Sequence, residues 1–289
     1  MKEKKYVICI ATSTDFAIAT AVLIYSLKKN LRVYNDCDVK VLYNNLDSHS
    51  QNLIRKVKED VIFEGPKDNS FYKHIDKTIY GKDNYDVYLS FECLHQDEYK
   101  KSIYLDADML CIKDFSEIIL GNEGGISWRI PNLGTIVVGE RLLGSETYYK
   151  FIDAAIKHKF VNNPGGDQDT LRFLYTVGSD VQPIHEKYNF QAFGCGGPGT
   201  NKNFLDQKDD VRVIHYSGRR KPWGGVYDGR SLDEKNCMSY PYMCFHSEAI
   251  RIWYRYYEEF KITHISGNTK FELYQVQNGT IIEDTLVAL

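Results

Sequence analysis

Along the first two thirds of the chain, short apolar runs alternate with stretches whose apolar residues recur every three or four positions. "YVICI" (6–10) predicts a strand, and Phe16, Ala19, Leu23, Ile24 and Leu27 follow it at helical spacing. "VKVLY" (39–43) predicts a second strand, followed by Leu53, Ile54 and Val57 behind an Asp47-Ser48 helix cap. "VIF" (61–63) and "SIYL" (102–105) read as further strands, with a helix over 85–94 before the latter. Then come "GTIVVG" (134–139), a helix over about 146–160, another beginning near Asp167, and the strand "VRVIH" (211–215). The tail holds an aromatic-rich helix over 247–260, whose Trp253, Tyr256 and Phe260 sit at core spacing, and a hairpin around Asn278-Gly279. That hairpin could extend a sheet, cap the core or join two subunits into a homodimer. The alternation implies an α/β fold with a mostly parallel central sheet, whose ligands bind beyond the carboxyl ends of the strands.

Composition supports one sizeable core: 289 residues, 43% of them apolar. No repeat or low-complexity linker marks a boundary, so 1–245 reads as a catalytic domain with 246–289 as a helix-and-hairpin appendage of the same domain. A net charge of −3 and a pI near 6.3 supply no general attraction for nucleic acid or an anionic membrane. Any phosphate contact must therefore be local. The opening "MKEKKYVICIATSTDF" reads as a strand and not a signal peptide, and no window offers about twenty apolar residues, so no transmembrane segment is expected. Seven scattered cysteines without a CxxC pair fit reduced thiols. A cytoplasmic location follows, with peripheral attachment to a membrane left open. Asn278-Gly279-Thr280 matches a glycosylation sequon, but Asn-Gly is also the preferred two-residue hairpin turn.

The chemistry concentrates in two places. In "SIYLDADMLCI" (102–112), Asp106 and Asp108 lie one residue apart where an apolar strand runs out. Hard divalent cations take one or two carboxylates and leave other positions to water and substrate phosphates, and such a pair meets that need. Solvated loop acids or a helix cap would look the same. In "VIHYSGRRKPWGG" (213–225), a second strand ends in His215 and is followed by Gly218, Arg219, Arg220, Lys221 and Pro222-Trp223. A neutral imidazole can complete a Mn²⁺ shell, a glycine lets the backbone approach a diphosphate, and a lysine adds a point charge.

"IYLDADML" together with "HYSGRRKPW" resembles the Asp-x-Asp and His-x-x-Gly-x-x-Lys-Pro-Trp signatures of family-8 glycosyltransferases, a family that includes glycogenin and bacterial lipopolysaccharide galactosyltransferases. "PNLGTIVVG", "GGDQDTLRF" and "KYNF" resemble its further motifs in the family's order. The resemblance implies a GT-A fold, a UDP-sugar donor carrying glucose or galactose, Mn²⁺ with Mg²⁺ as alternative, and transfer with retention to a saccharide or glycoconjugate acceptor. Carried over by position, Asp106 and Asp108 of the Asp106-Ala107-Asp108 motif and His215 would bind the metal. Lys221 and the backbone at Gly218 would hold the diphosphate. Asp167 would bind sugar hydroxyls and Gln168 would face the reacting carbon; an amide is too poor a nucleophile for a covalent intermediate, which favours a front-face reaction. Asp169 could instead be only an N-terminal helix acid. Thr12, Asp15 and Phe16 would meet the base and ribose, although Ser13 to Asp15 would equally serve as a helix cap. Asn132 and Gly134 line the sugar site or simply form the turn into a strand.

The chain departs from the family at Ser13 and Thr14, where bacterial members often carry acidic or Asn residues, and at Val87, near where many carry an Arg. The glycine-rich "FGCGGPGTNKNF" (193–204) replaces the tyrosine-bearing stretch used in glycogenin self-priming, and reads as an acceptor loop or a surface link. Two other functions remain compatible with the acid pair: a nucleotide-sugar-binding protein without transfer, and a haloacid-dehalogenase-like phosphatase. The phosphatases usually have Gly-Thr after the pair, where Met109-Leu110 stands here, and do not predict "HYSGRRKPW".

Overall fold

Four consecutive apolar residues of the first strand, Val7, Ile8, Cys9 and Ile10, are wholly buried, as expected of a strand covered on both faces. A computed structural model of the protein describes residues 5–75, 84–121, 125–129, 132–162, 165–175, 181–192, 204–217, 221–223, 247–265, 272–277 and 280–285. Gly218, Arg219 and Arg220, nearly all of the glycine-rich 193–204 stretch, and Asn278-Gly279 lie outside these described residues.

The strands β1 (Tyr6–Ala11), β2 (Cys37–Leu42), β3 (Ile62–Glu64), β4 (Lys101–Asp106), β6 (Ile126–Trp128), β7 (Thr135–Gly139) and β8 (Val181–Pro183) form a sheet in the order β3-β2-β1-β4-β7-β6-β8. Only β7 runs against its neighbours, β4 and β6. The chain moves outward from β1 to β2 and β3, then returns to place β4 on the other side of β1. The crevice between the carboxyl ends of β1 and β4 is therefore a topological switch point, where α/β sheets bind ligands. Register puts Ala11 opposite Asp106 there. A second sheet, β5 (Met109–Cys111), β10 (Val213–His215) and β9 (Phe190–Gln191), stands beside it in the order β5-β10-β9.

Alternate residues of β1 face two cores. Ile8 and Ile10 join helix α1 (Ala17–Asn30), while Val7 and Cys9 join Tyr88, Phe91, Trp128, Tyr148 and Phe151 on the opposite face. Helix α2 (Ser48–Arg55) starts at the expected cap, Asp47 accepting a 2.7 Å hydrogen bond from the Ser50 N–H. The 84–94 segment is a 3₁₀ helix and not the expected ordinary helix. Tyr88, Phe91 and Leu94 are all buried and three residues apart, a spacing that a three-residue turn lines up on one face. Helix α3 (Ser116–Gly121) precedes α4 (Ser145–Lys157), which stops before the expected 160. Lys159, with φ 57°, is in the left-handed conformation that commonly closes helices.

Helices α5 (Gly166–Leu174) and α6 (Phe204–Gln207) follow, and the strand expected over 211–215 forms only over its last three residues. Helix α7 (Ser247–Phe260) matches its expected span. Its Trp253, Tyr256 and Phe260 are core residues, and Tyr256 Oη accepts a 2.8 Å hydrogen bond from Asn30 of α1. Truncating a buried aromatic such as Trp253 to alanine costs about 3–5 kcal/mol. The tail strands β11 (Glu272–Gln277) and β12 (Thr280–Thr285) pair antiparallel with Gln277 opposite Thr280, the register of a two-residue turn. Among the described residues, Cys9, Cys37, Cys93 and Cys111 are buried and form no disulfide. No described helix is long and apolar enough to cross a membrane.

Candidate metal and donor site

Asp106 is the last residue of β4, and after two intervening residues, Ala107 and Asp108, the chain enters β5. β5 pairs antiparallel with β10, placing Met109 opposite His215, and the Tyr216 N–H donates to the Asp108 carbonyl at 2.9 Å. Backbone pairing three residues long thus brings His215 beside acids more than a hundred positions earlier. His215 Nε2 lies 3.1 Å from Asp108 Oδ1 and 3.5 Å from Asp106 Oδ2. The three residues offer one ligand atom each within 4.8 Å of one another, and no other such cluster occurs among the described residues.

Each member is held through the atom that does not face the cluster. Tyr104, two residues back on the same face of β4, donates to Asp106 Oδ1 at 2.7 Å. Lys221 Nζ donates to Asp108 Oδ2 and to the Tyr216 carbonyl. His215 Nδ1 lies 2.8 Å from Asn189 Oδ1. Asp106 remains a third exposed, whereas Asp108 and His215 are buried, so the cluster opens on one side.

The charges respond accordingly. Burial acts to raise Asp108, but His215 and Lys221 outweigh it and hold the carboxyl well below the usual carboxylate range. For Asp106 burial prevails and raises it, with His215 pulling the other way. Asp167, in the first turn of α5, is pushed up to about 7 by burial and by the charge of Asp106. Its Oδ1 accepts from the Gln168 N–H at 2.8 Å, and its Oδ2 from Ser90 Oγ at 3.4 Å.

An octahedral ion with bonds of about 2.1 Å sets adjacent ligands ~3 Å apart. The cluster spacing fits that, and two carboxylate oxygens with one neutral imidazole nitrogen suit Mn²⁺ or Mg²⁺. The residues present therefore fit a hard divalent cation.

The other expected site residues also make local contacts. Thr12 is buried and its hydroxyl lies 2.7 Å from Thr20 Oγ1 of α1, so it ties the loop after β1 to its helix. Asp15 is exposed in the 3₁₀ turn Thr14–Phe16, and Ser13 makes no side-chain cap bond there. Phe16 packs edge-on against Trp223 at 5.4 Å, with Lys221 Nζ 5.7 Å from its ring centre. Behind that pair, Tyr254 of α7 donates to the Pro222 carbonyl at 2.7 Å and Trp223 meets Trp253 at 5.7 Å. The aromatic helix thus supports the Lys-Pro-Trp step. Gln168 Oε1 and Asp169 Oδ1 both take 3.4 Å contacts from Arg172. Ala107 is buried between the two acids.

Asn132 Oδ1 accepts from the Gly134 N–H at 2.9 Å and from Asn189 Nδ2 at 2.8 Å. Gly134 itself touches the His215 ring. Gly134 thus packs beside the imidazole, and Asn132 is linked to it through Asn189. Tyr104 and Asn189 carried little signal in the sequence: Tyr104 reads as one more strand aromatic, and Asn189 was visible only inside "KYNF".

No protein-family model matches the chain. Over 144 residues, 48% of the chain, it is 24% identical to glycogenin-1 of Caenorhabditis elegans, covering 33% of that protein. Over 148 residues, 45% of the chain, it is 27% identical to glycosyltransferase GlyE of Streptococcus pneumoniae serotype 4 (strain ATCC BAA-334 / TIGR4), covering 35%. The matches span about a third of the length of these curated relatives. The crystal structure of GlyE aligns with 90% of the chain and 63% of its own at a TM-score of 0.61 and 17% identity. That of the galactosyltransferase LgtC with donor and acceptor sugar analogues aligns with 86% of the chain and 99% of its own at 0.52 and 17%. The fold is GT-A. The phosphatase alternative finds no counterpart among these relatives.

Proposed function

Starting from a family-8-like glycosyltransferase of GT-A fold, we propose that the protein moves a hexose, glucose or galactose, from a UDP-sugar to a hydroxyl of a saccharide or glycoconjugate, with metal dependence and retention. The observation that carries this reading is the convergence of Asp106 Oδ2, Asp108 Oδ1 and His215 Nε2 at the sheet's switch point. Mn²⁺ or Mg²⁺ bound there would supply positive charge to the donor diphosphate and to the departing nucleotide.

The remaining roles belong to the chain. Lys221, already at the cluster, is the cation that reaches a phosphate oxygen. The Ser217 hydroxyl, two residues beyond His215, is buried without a hydrogen-bond partner among the described residues, leaving it a proton to donate to the same phosphates. The backbone at Gly218 would complete the cradle. Thr12, Asp15 and Phe16 stand at the end of β1 as the nucleoside side of the crevice. Asp167 and Gln168 present a hydroxyl-binding acid and a neutral amide to the sugar.

In the reaction the bond from the anomeric carbon to phosphate breaks and the acceptor oxygen bonds to that carbon from the same face. The acceptor proton passes to the departing phosphate, so no carboxylate nucleophile is required. Residues 1–245 form the catalytic unit in this reading, and its workplace is the cytoplasm.

The test incubates the protein with radiolabelled nucleotide sugars, with and without Mn²⁺. Hydrolysis or transfer from a UDP-hexose that needs the metal, stops with EDTA and is lost in Asp108→Asn is expected. Donor binding without any turnover would overturn transfer, and turnover unaffected by Asp108→Asn would overturn the site.

A further inference from the structure

The site's three metal-facing atoms include one whose availability is not guaranteed by position. A neutral imidazole carries its proton on either nitrogen, and only the form protonated at Nδ1 leaves a lone pair on Nε2 for a cation. We propose that Asn132 and Asn189 form a one-way hydrogen-bond relay, anchored on the Gly134 backbone, that fixes the proton of His215 on Nδ1 and aims Nε2 at the two acids. The inference rests on the metal reading above and assigns both asparagines as positioning residues.

The direction follows from groups that cannot reverse. A backbone N–H only donates, so the Asn132 side-chain atom 2.9 Å from the Gly134 nitrogen is the carbonyl oxygen. A backbone carbonyl only accepts, so the Asn189 side-chain atom 3.3 Å from the Asn132 carbonyl is the amide nitrogen. The same nitrogen donates to Asn132 Oδ1 at 2.8 Å, so Asn189 faces two acceptors on that side and cannot flip without opposing oxygen to oxygen. Its own oxygen is then turned to His215 Nδ1 at 2.8 Å, which must be the protonated nitrogen. Asn189 is fully buried, so no solvent competes with the arrangement. Such outer partners commonly change metal affinity by about 10–100-fold when removed. The relay gives a use for an Asn-x-Gly stretch and for an Asn beside β9 that the transfer chemistry itself does not require.

The test reads the imidazole directly. In protein labelled with ¹⁵N-histidine and kept metal-free, with the His215 signals assigned by their loss in His215→Gln, long-range ¹H–¹⁵N spectra report which nitrogen carries the proton. Wild type should show Nδ1 protonated. Asn189→Leu and Asn132→Leu should reduce the share of His215 protonated at Nδ1, while Asn132→Asp, which still offers an oxygen to both donors, should keep the wild-type pattern. In parallel, Mn²⁺ titrated alone and followed by electron paramagnetic resonance should bind the two Leu variants about 10–100-fold more weakly. Thermal melts identify any variant that fails to fold, and the Asn132 pair then carries the test. A wild-type His215 without a proton on Nδ1 overturns the relay, as do folded Leu variants with unchanged spectra and Mn²⁺ affinity within twofold. A wild type that transfers no sugar yet shows these shifts refutes the proposed function and leaves the relay standing.

Discussion

Gly134 and His215 are in direct contact: a Cβ built on the glycine would fall 2.6 Å from both Cε1 and Nδ1 of the imidazole, and 3.0 Å from Asn132 Oδ1. The obstacle is space, since Gly134 does not lie in the left-handed region. Gly134→Ala should therefore displace the ring. The expected outcome is about 1–3 kcal/mol of lost stability from overpacking, together with a roughly tenfold or greater loss of Mn²⁺ affinity. Denaturant melts and Mn²⁺ titration check the two parts separately.

Tyr104 holds Asp106 by the oxygen that does not face the cluster. Tyr104→Phe keeps the buried ring and removes one hydrogen bond to a carboxylate. Mn²⁺ binding should weaken by about tenfold, while the melting midpoint falls only slightly. An unchanged Mn²⁺ titration would count against Tyr104 as a support for the site.

Lys221 pairs with Asp108, a carboxylate that a divalent cation held by the cluster would also use. Replacing the lysine by methionine removes a positive charge beside the metal position, so Mn²⁺ should bind the donor-free protein as well or better. UDP binding should weaken at the same time, because a phosphate partner is gone. Isothermal titration with each ligand gives opposite signs if this is right; a parallel loss of both would make Lys221 only a structural partner of Asp108.

Far from the site, Glu92 is buried and its carboxyl is pushed up to about 7 from 4.5 by burial, despite a 2.7 Å hydrogen bond from Tyr148. Below pH 4.5 both folded and unfolded chains hold the proton. Between 4.5 and 7 the unfolded chain releases it first, so stability falls as pH rises through that window, by on the order of 3 kcal/mol. Glu92→Gln should be more stable than wild type at pH 8, and the difference should vanish near pH 4. Melts across that range measure it.

The three residues of the candidate metal cluster were legible in the sequence because two chemically distinct motifs each sit where an apolar run ends, and strand ends are where α/β sheets bind ligands. Their supports were not. Tyr104 follows the strand's own alternation and looks like core. Asn189 and Gly134 meet His215 from the positions just before β9 and β7, through contacts with no sequence periodicity. Strands of two or three residues, such as β5, β6, β8 and β9, are too short to leave an alternation, although β5 and β9 flank the imidazole. The aromatic helix was readable as core from its spacing; that it braces Pro222 and Trp223 was not, because the Tyr254 bond crosses 32 positions.

The pairing of Met109–Cys111 with Val213–His215 works as a short buckle joining two remote stretches of chain. Spacing between paired strands, about 4.7–4.9 Å, sets how far the imidazole stands from the acids, so that distance is a property of main chain and not of connecting length. Insertions or deletions elsewhere in the hundred residues between the two strands can therefore reshape the surface around the cluster while its spacing stays calibrated.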